Sequence, residues 1–276
     1  MATYLDGILA AHRAAAAADR RDLDELRAQA LRRPPVRSFQ RAIQAGGSLA
    51  VIAEIKRRSP SRGDLAPNLN PDRIARQYEA GGAACLSVLT DAEFFGGSVA
   101  DLHTAAAATT LPVLRKDFTV SLADVYDTRL MGADAVLLIA AALSDDELTA
   151  CAAAAAAVGL EALVEVHDHD ELARAVASGA RLIGVNQRDL LTFEVDHDRA
   201  VSLAALIPSE VVAVAESGVR GPEDARRLAA AGYHAVLVGE TLVRAADPAA
   251  AVAAMRVPLP AVPLPAVPLP ARAEVE

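Results

Sequence analysis

Between residues 49 and 256 a short apolar run rich in β-branched residues gives way, eight times over, to a longer alanine-rich stretch with helical spacing. The strand-like runs are 49–55, 85–89, 113–115, 135–139, 162–166, 182–185, 211–215 and 235–238. The helix-like stretches are 71–80, 99–108, 122–131, 145–158, 168–178, 198–207, 222–231 and 248–255. The strand runs are apolar throughout instead of alternating, which is the pattern of parallel strands covered on both faces. Eight β–α units in a chain of 276 residues predict a closed α/β structure, the (β/α)8 or TIM barrel, which needs about 250 residues. A doubly wound open sheet is the alternative; it would show fewer strands and a glycine-rich turn after the first, and no such turn is present.

Helix boundaries support this reading. Asn70-Pro71 and Gly221-Pro222 put proline at a first helical position, while Ser144 and Asp247 suit an N-cap. Gly81, Gly132, Gly159, Gly179 and Gly232 stand where helices should end. Residues 1–48 form an N-terminal extension with helices expected over 3–13 and 22–31, the second closed by Pro34 and Pro35. Residues 49–256 make the barrel and 257–276 a proline-rich tail, in which 257–271 is three copies of Val-Pro-Leu-Pro-Ala. Such a repeat favours polyproline II and lies outside the barrel, as a docking segment for a proline-recognition module or as a dispensable extension.

With 53% hydrophobic residues the chain has ample material for a core. A net charge of −9 and the lack of a basic block argue against nucleic acid or an anionic membrane as partner. Cys85 and Cys151 sit in apolar or alanine-rich segments and read as small core hydrophobes, and no Cys/His cluster has metal-binding spacing. No signal peptide and no membrane-length apolar window is present, so a soluble, cytoplasmic protein is expected.

In a barrel, side chains at the C-terminal ends of the strands face the active-site mouth. The residues that end the apolar runs are Glu54 and Lys56, Lys116, Glu165, Asn186 with Arg188, and Glu216. Burying one unpaired charge costs several kcal/mol, roughly, so a whole set at one end of a sheet is hard to explain by structure alone, although each singly could be a rim salt bridge. Three carboxylates and two lysines together can shift one another's pKa values and supply a general acid and a general base, with Schiff-base chemistry as a further option for lysine. Glu216-Ser217-Gly218 and Gly239-Glu240-Thr241 follow the last two strands, where barrels often hold phosphate; ordinary turns are the alternative. The polar loop 62–70 has the length of a lid. Phe94, Phe95 and Phe118 fall after strands 2 and 3 in a chain with only 3% aromatics, as core packing or as a platform for a planar substrate.

These segments resemble the indole-3-glycerol phosphate synthase family from about Tyr4 to Met255. The motifs are Ile52-Ala-Glu-Ile-Lys-Arg-Arg-Ser-Pro-Ser-Arg-Gly63, Leu86-Ser-Val-Leu-Thr-Asp91 with Phe95-Gly-Gly-Ser98, and Leu111-Pro-Val-Leu-Arg-Lys-Asp-Phe118. Ala133-Asp-Ala-Val-Leu-Leu-Ile139, Leu163-Val-Glu-Val-His167, Ile183-Gly-Val-Asn-Gln-Arg-Asp-Leu190, Ala215-Glu-Ser-Gly218 and Val238-Gly-Glu240 follow. The resemblance implies a carboxy-lyase of tryptophan biosynthesis. It would convert 1-(2-carboxyphenylamino)-1-deoxyribulose 5-phosphate to indole-3-glycerol phosphate, carbon dioxide and water, with no cofactor and no metal. It implies Lys116 as general acid, Glu165 as base and Lys56 at the anthranilate carboxylate, with a second acid role open to Lys56. Glu54, Asn186 and Glu216 would orient these groups. Ser59, Gly218, Gly239 and Glu240 would hold phosphate with Ser217 nearby, while Phe95, Phe118, Leu137 and Leu190 would pack the aromatic ring and Arg188 would lie near its carboxylate. The expected partner is a phosphorylated small molecule, and a monomer would serve.

Two features depart from the family pattern. Glu240 stands where some members carry serine, and the tail is an addition. The rivals are a phosphoribosyl isomerase-like barrel, against which Cys85 begins its strand instead of ending it, and a non-catalytic phosphometabolite-binding barrel.

Overall fold

The computed structural model describes residues 4–60, 62–189 and 192–260. Among these, eight parallel strands close into a barrel: β1 (Ala50–Ile55), β2 (Cys85–Leu89), β3 (Val113–Lys116), β4 (Ala135–Ile139), β5 (Glu161–Val166), β6 (Leu182–Asn186), β7 (Val212–Glu216) and β8 (Ala235–Val238). Each pairs with its sequence neighbours, and β1 closes the ring by pairing Ala50 with Ala235 of β8 and Ile52 with Cys85 of β2. The open doubly wound alternative is thereby excluded.

The period of two along each strand divides the apolar residues into two cores. Ile52, Leu114, Leu137, Leu163, Leu182, Val214 and Leu237 point into the barrel and fill it. Val51, Val88, Val136, Val164, Ile183, Ala215 and Val236 point outward and pack beneath the helices. One step of two beyond the inner apolar layer lies a polar layer: Glu54 above Ile52, Lys116 above Leu114, Glu165 above Leu163, Asn186 above Gly184, and Glu216 above Val214. The strands β3, β6 and β7 each extend one residue past the expected end, because the ladder continues under Lys116, Asn186 and Glu216.

Twelve helices accompany the strands among the described residues: α1 (Tyr4–Ala18), α2 (Leu23–Leu31), α3 (Phe39–Gln44), α4 (Pro71–Ala80), α5 (Val99–Ala108), α6 (Leu122–Leu130), α7 (Asp145–Ala157), α8 (His169–Ala177), α9 (Arg199–Ala204), α10 (Pro222–Ala230), α11 (Glu240–Val243) and α12 (Pro248–Met255). The expected caps are present: Asn70 and Asp247 accept from the backbone of the first turn, and Ser144 forms a reciprocal capping box with Glu147. Gly81 caps the end of α4 as expected, at φ −74°, and Gly82 after it takes the left-handed turn at φ +84°. Gly81 is needed for another reason, because a Cβ there would strike the Ala249 carbonyl of α12.

The N-terminal extension differs most from expectation. α1 continues to Ala18 because the run 14–18 is alanine, the strongest helix former. α3 was not foreseen. Ser38 caps it, and its Phe39 and Ile43 are buried against the barrel interior as a plug in the floor, the N-terminal ends of the strands. The start of the tail is held there too: Val257 is buried, its carbonyl accepts from Leu49, and the Leu259 amide donates to Gly47. Residues 261–276 of the tail lie outside the described residues.

Candidate active site

The polar layer opens into a cavity of about 540 Å³ at the C-terminal ends of the strands. At its base Lys116 Nζ donates to Glu165 Oε2 at 2.8 Å and lies 3.5 Å from Glu216 Oε2. Asn186 Nδ2 donates to the other oxygen of Glu165 at 2.9 Å. Lys56, just past the end of β1, places Nζ 2.5 Å from Oε1 of Glu54 on that same strand. Glu165 and Glu216 are each 1% exposed, so these charges interact through protein and hardly at all through water. The six catalytic candidates read from the strand ends, Glu54, Lys56, Lys116, Glu165, Asn186 and Glu216, therefore all meet in one cavity.

Their electrostatics separate the roles. Burial alone would lower the Lys116 ammonium, but the carboxylates of Glu165, Glu216 and Glu54 outweigh it and raise it above its ordinary value. Burial alone would raise Glu165, yet the Lys116 charge and His167 hold it well below the usual carboxylate range. Glu216 has less compensation. Burial, and then the charge of Glu165, push it up to about 8, so it is protonated at neutral pH. The cluster thus holds one ammonium, one carboxylate and one neutral carboxyl group. A group that can give a proton and one that can take it stand in contact.

Two glycines make room for these carboxylates. A Cβ on Gly239 would overlap Glu54 Oε1, and a Cβ on Gly184 would overlap Glu216 Oε1.

One wall of the cavity is aromatic. Phe95 and Phe118 lie with ring centroids 6.1 Å apart, above Leu137. Their backbones are fixed by two buried aspartates: Asp91 Oδ1 accepts from the Phe94 and Phe95 amides, and Asp117 Oδ1 from the Phe118 amide. His12 of α1 reaches over to Asp91 at 3.0 Å. His12, Asp91 and Asp117 bring three possible cation ligands within 4.8 Å of one another, although Thr90 and Arg115 also occupy Asp117. Phe94 is a correction to the expected cluster, because it packs edge-on against Tyr4 at 5.9 Å and does not line the cavity.

Another wall is formed by the loops after β7 and β8. Ser217 and Gly218 both adopt positive φ, +66° and +72°, and Gln187 Nε2 fixes the loop by donating to the Ser217 carbonyl. Thr241 Oγ1 of α11 donates to the Val219 carbonyl and ties the loops after β7 and β8 together. Ser59 Oγ is buried in this region with no hydrogen-bond partner. Ser59, Ser217, Gly218, Gly239 and Glu240 all line the cavity. The Glu240 side chain is engaged by Arg62 at 3.7 Å and Arg244 at 3.6 Å. Arg188 lines the cavity between the two walls, with Nη1 donating to the Phe193 carbonyl. Leu190 lies outside the described residues. The loop 62–70 begins as a small hairpin in which Arg58 pairs with Asp64, and Arg57 binds the carbonyls of Pro67 and Leu69.

Sequence reasoning missed His167, whose Nε2 is 3.4 Å from Glu165 Oε1. The signal was available, since residue 167 is two positions beyond Glu165 and shares its face. It also missed His197, Arg220 and Val195, which reach the cavity from loops whose course no strand period dictates.

The family model described as indole-3-glycerol phosphate synthase matches residues 5–255. The indole-3-glycerol phosphate synthase of Kineococcus radiotolerans is 48% identical over 257 residues, covering 91% of this chain and 94% of that protein. The protein of the same name from a Nocardioides species is 52% identical over 233 residues, covering 84% and 89%. Among solved structures, 3-hexulose-6-phosphate synthase from Salmonella typhimurium superposes with a TM-score of 0.61 at 13% identity, covering 75% of this chain and 96% of that one. That likeness is of fold alone.

Proposed function

The chain belongs to the indole-3-glycerol phosphate synthase family, and from that premise we propose which of its side chains close the indole ring. The protein is a carboxy-lyase of tryptophan biosynthesis, converting 1-(2-carboxyphenylamino)-1-deoxyribulose 5-phosphate to indole-3-glycerol phosphate, carbon dioxide and water. The isomerase-like rival is set aside by this membership.

Lys116 is the general acid. Its ammonium protonates the ribulose carbonyl as the aromatic carbon attacks, and carbon dioxide leaves from that same carbon. Glu165, kept ionised by its contacts, removes a proton from the adjacent methylene carbon as the hydroxyl departs as water. Lys56, held by Glu54, receives the anthranilate carboxylate, with Arg188 beside it. Asn186 fixes the Glu165 carboxylate, and the protonated Glu216 donates within the cluster without adding charge. Phe95, Phe118, Leu137 and Leu190 hold the aromatic ring. Ser59 and Ser217, with the backbone N–H groups of Gly218, Gly239 and Glu240, take the phosphate.

The observation that carries this assignment is the buried Lys116–Glu165 contact of 2.8 Å beneath an open cavity. The test is indole fluorescence after purified protein meets the substrate. A protein that forms no indole product would overturn the reading in favour of a non-catalytic binding barrel.

The same reading gives a cytoplasmic enzyme, with neither nucleic acid nor membrane as partner. It is organised as an extension over 1–48, a barrel over 49–256 and a tail over 257–276. The net charge of −9 supports it, and no helix of the described residues is long and apolar enough to cross a membrane.

A further inference from the structure

We propose that His167 and Glu171 form a proton wire that resupplies the Lys116–Glu165 pair from solvent while the cavity is occupied; the proposal rests on the ring-closing reaction above.

The stoichiometry requires a supply. The substrate carboxylate leaves as carbon dioxide and its electron pair stays on the ring carbon. The carbonyl oxygen leaves as water and so acquires two protons. One is recovered from the methylene carbon through Glu165. The other comes from solvent at every turnover. Yet Lys116 and Glu165 lie at the base of the cavity that the substrate would fill, with Glu165 1% exposed.

The wire avoids that obstruction. His167 and Glu171 do not line the cavity. His167 Nδ1 is 2.9 Å from Glu171 Oε2, and His167 Nε2 is 3.4 Å from Glu165 Oε1. Nε2 is itself buried with no hydrogen-bond partner, an unusual state for an imidazole nitrogen that would otherwise be satisfied or solvated. Glu171 stands in the first turn of α8 with its side chain 15% exposed, and its amide is fixed by the Asp168 cap. The charged groups facing His167 are Glu165 and Glu171, with Lys116 and Glu216 behind Glu165. Burial alone would lower the imidazole, but the two glutamates outweigh it and raise it to about 9, so it carries both protons at neutral pH.

The transfer balances. When Lys116 has given its first proton to the carbonyl oxygen, the His167 Nε2–H bond breaks as an O–H bond forms on the Glu165 carboxylate. That proton moves on to Nζ, and Glu165 is again ionised and ready to take the methylene proton. Lys116 gives its second proton to the departing hydroxyl, and Glu165 returns the methylene proton to Nζ. The neutral imidazole, which still holds its Nδ1–H, turns its bare nitrogen to Glu171 and takes from it a proton drawn from solvent. One solvent proton enters and both N–H bonds of Lys116 are remade.

His167→Ala and Glu171→Gln are compared with wild-type protein by indole fluorescence across pH, in water and deuterium oxide, with and without added imidazole. For His167→Ala, kcat falls about tenfold or more, KM stays within about twofold, the solvent isotope effect grows, and imidazole restores turnover in proportion to its concentration. Glu171→Gln moves kcat and the isotope effect in the same direction and carries the test if His167→Ala does not fold. Unchanged kcat and isotope effect in Glu171→Gln overturn the wire. So does a loss in His167→Ala that appears in KM or that imidazole leaves unrepaired, since that is the mark of a structural role. Wild-type protein that forms no indole overturns the underlying reaction and the wire with it.

Discussion

Both ends of this barrel bury charge, and they treat it in opposite ways. At the floor, Asp134 accepts from the Arg37 amide and Nε and from the Val113 amide, at 2.8 to 2.9 Å. Glu161 accepts from Ser38 Oγ and the Gln40 amide. Each carboxylate there is surrounded by donors and ties the extension to the start of a strand. At the mouth, Glu54, Glu165 and Glu216 share Lys56 and Lys116, and Glu216 Oε1, His167 Nε2 and Ser59 Oγ are buried without partners. The fold is locked at one end and left electrostatically unresolved at the other. Polar groups left unsatisfied cost stability, and they are what a substrate or a moving proton can use.

The contrast is broken most sharply by one exchange at each end. Lys116→Ala should lower kcat/KM by roughly 10²- to 10⁴-fold, the usual worth of a positioned proton donor, with the far-ultraviolet circular dichroism of the wild type retained. Near-normal turnover would remove Lys116 from the acid role. Asp134→Ala strands three donors at the floor, two of them on the partly exposed Arg37. It should cost about 1–3 kcal/mol in urea unfolding, the price of unmade buried hydrogen bonds, and leave kcat unchanged in folded protein. A floor variant that lost turnover while keeping stability would erase the distinction.

The mouth was legible in the sequence and the floor was not, for a physical reason. A strand repeats every two residues, so Ile52–Glu54–Lys56 and Leu163–Glu165–His167 announce where apolar filling stops and polar lining begins. Nothing comparable marks Phe39 as a plug, because α3 is six residues long and its meaning lies in what it covers. The same limit applies to α1. Its Tyr4 touches Phe94 and Phe193, its His12 Asp91, and its Arg13 Glu147, all contacts across large sequence distances that no local pattern encodes. Glycines at 184 and 239 were readable as turn or strand residues, but their need to admit a carboxylate emerges only when two strands are side by side.

Glu216→Gln sharpens the comparison by pH. The folded carboxyl titrates at about 8 against an ordinary 4.5, so it binds a proton more tightly folded than unfolded. Its contribution to stability is fully present below the ordinary value and is lost as pH rises through about 8. Glutamine copies the neutral form at all pH values. The variant should therefore gain stability relative to wild type as pH rises from 4.5 to 8, read from unfolding midpoints along a pH series. A constant difference across that window would mean that Glu216 is ionised in the folded protein.

The smallest expected effect concerns the aromatic wall. Phe95 and Phe118 meet at a tilt of 38° and face the cavity, but neither gives or takes a proton. Phe95→Leu keeps most of the apolar area and removes the ring, whose stacking is worth about 0.5–1.5 kcal/mol beyond burial. KM should rise roughly three- to tenfold with kcat close to wild type, because a ring contact that is equally good for substrate and transition state supplies uniform binding. Should kcat fall instead, the wall would be setting the angle at which the aromatic carbon meets the carbonyl. Phe95 would then belong with the catalytic layer on the strands, despite being carried by a loop that a buried aspartate holds in place.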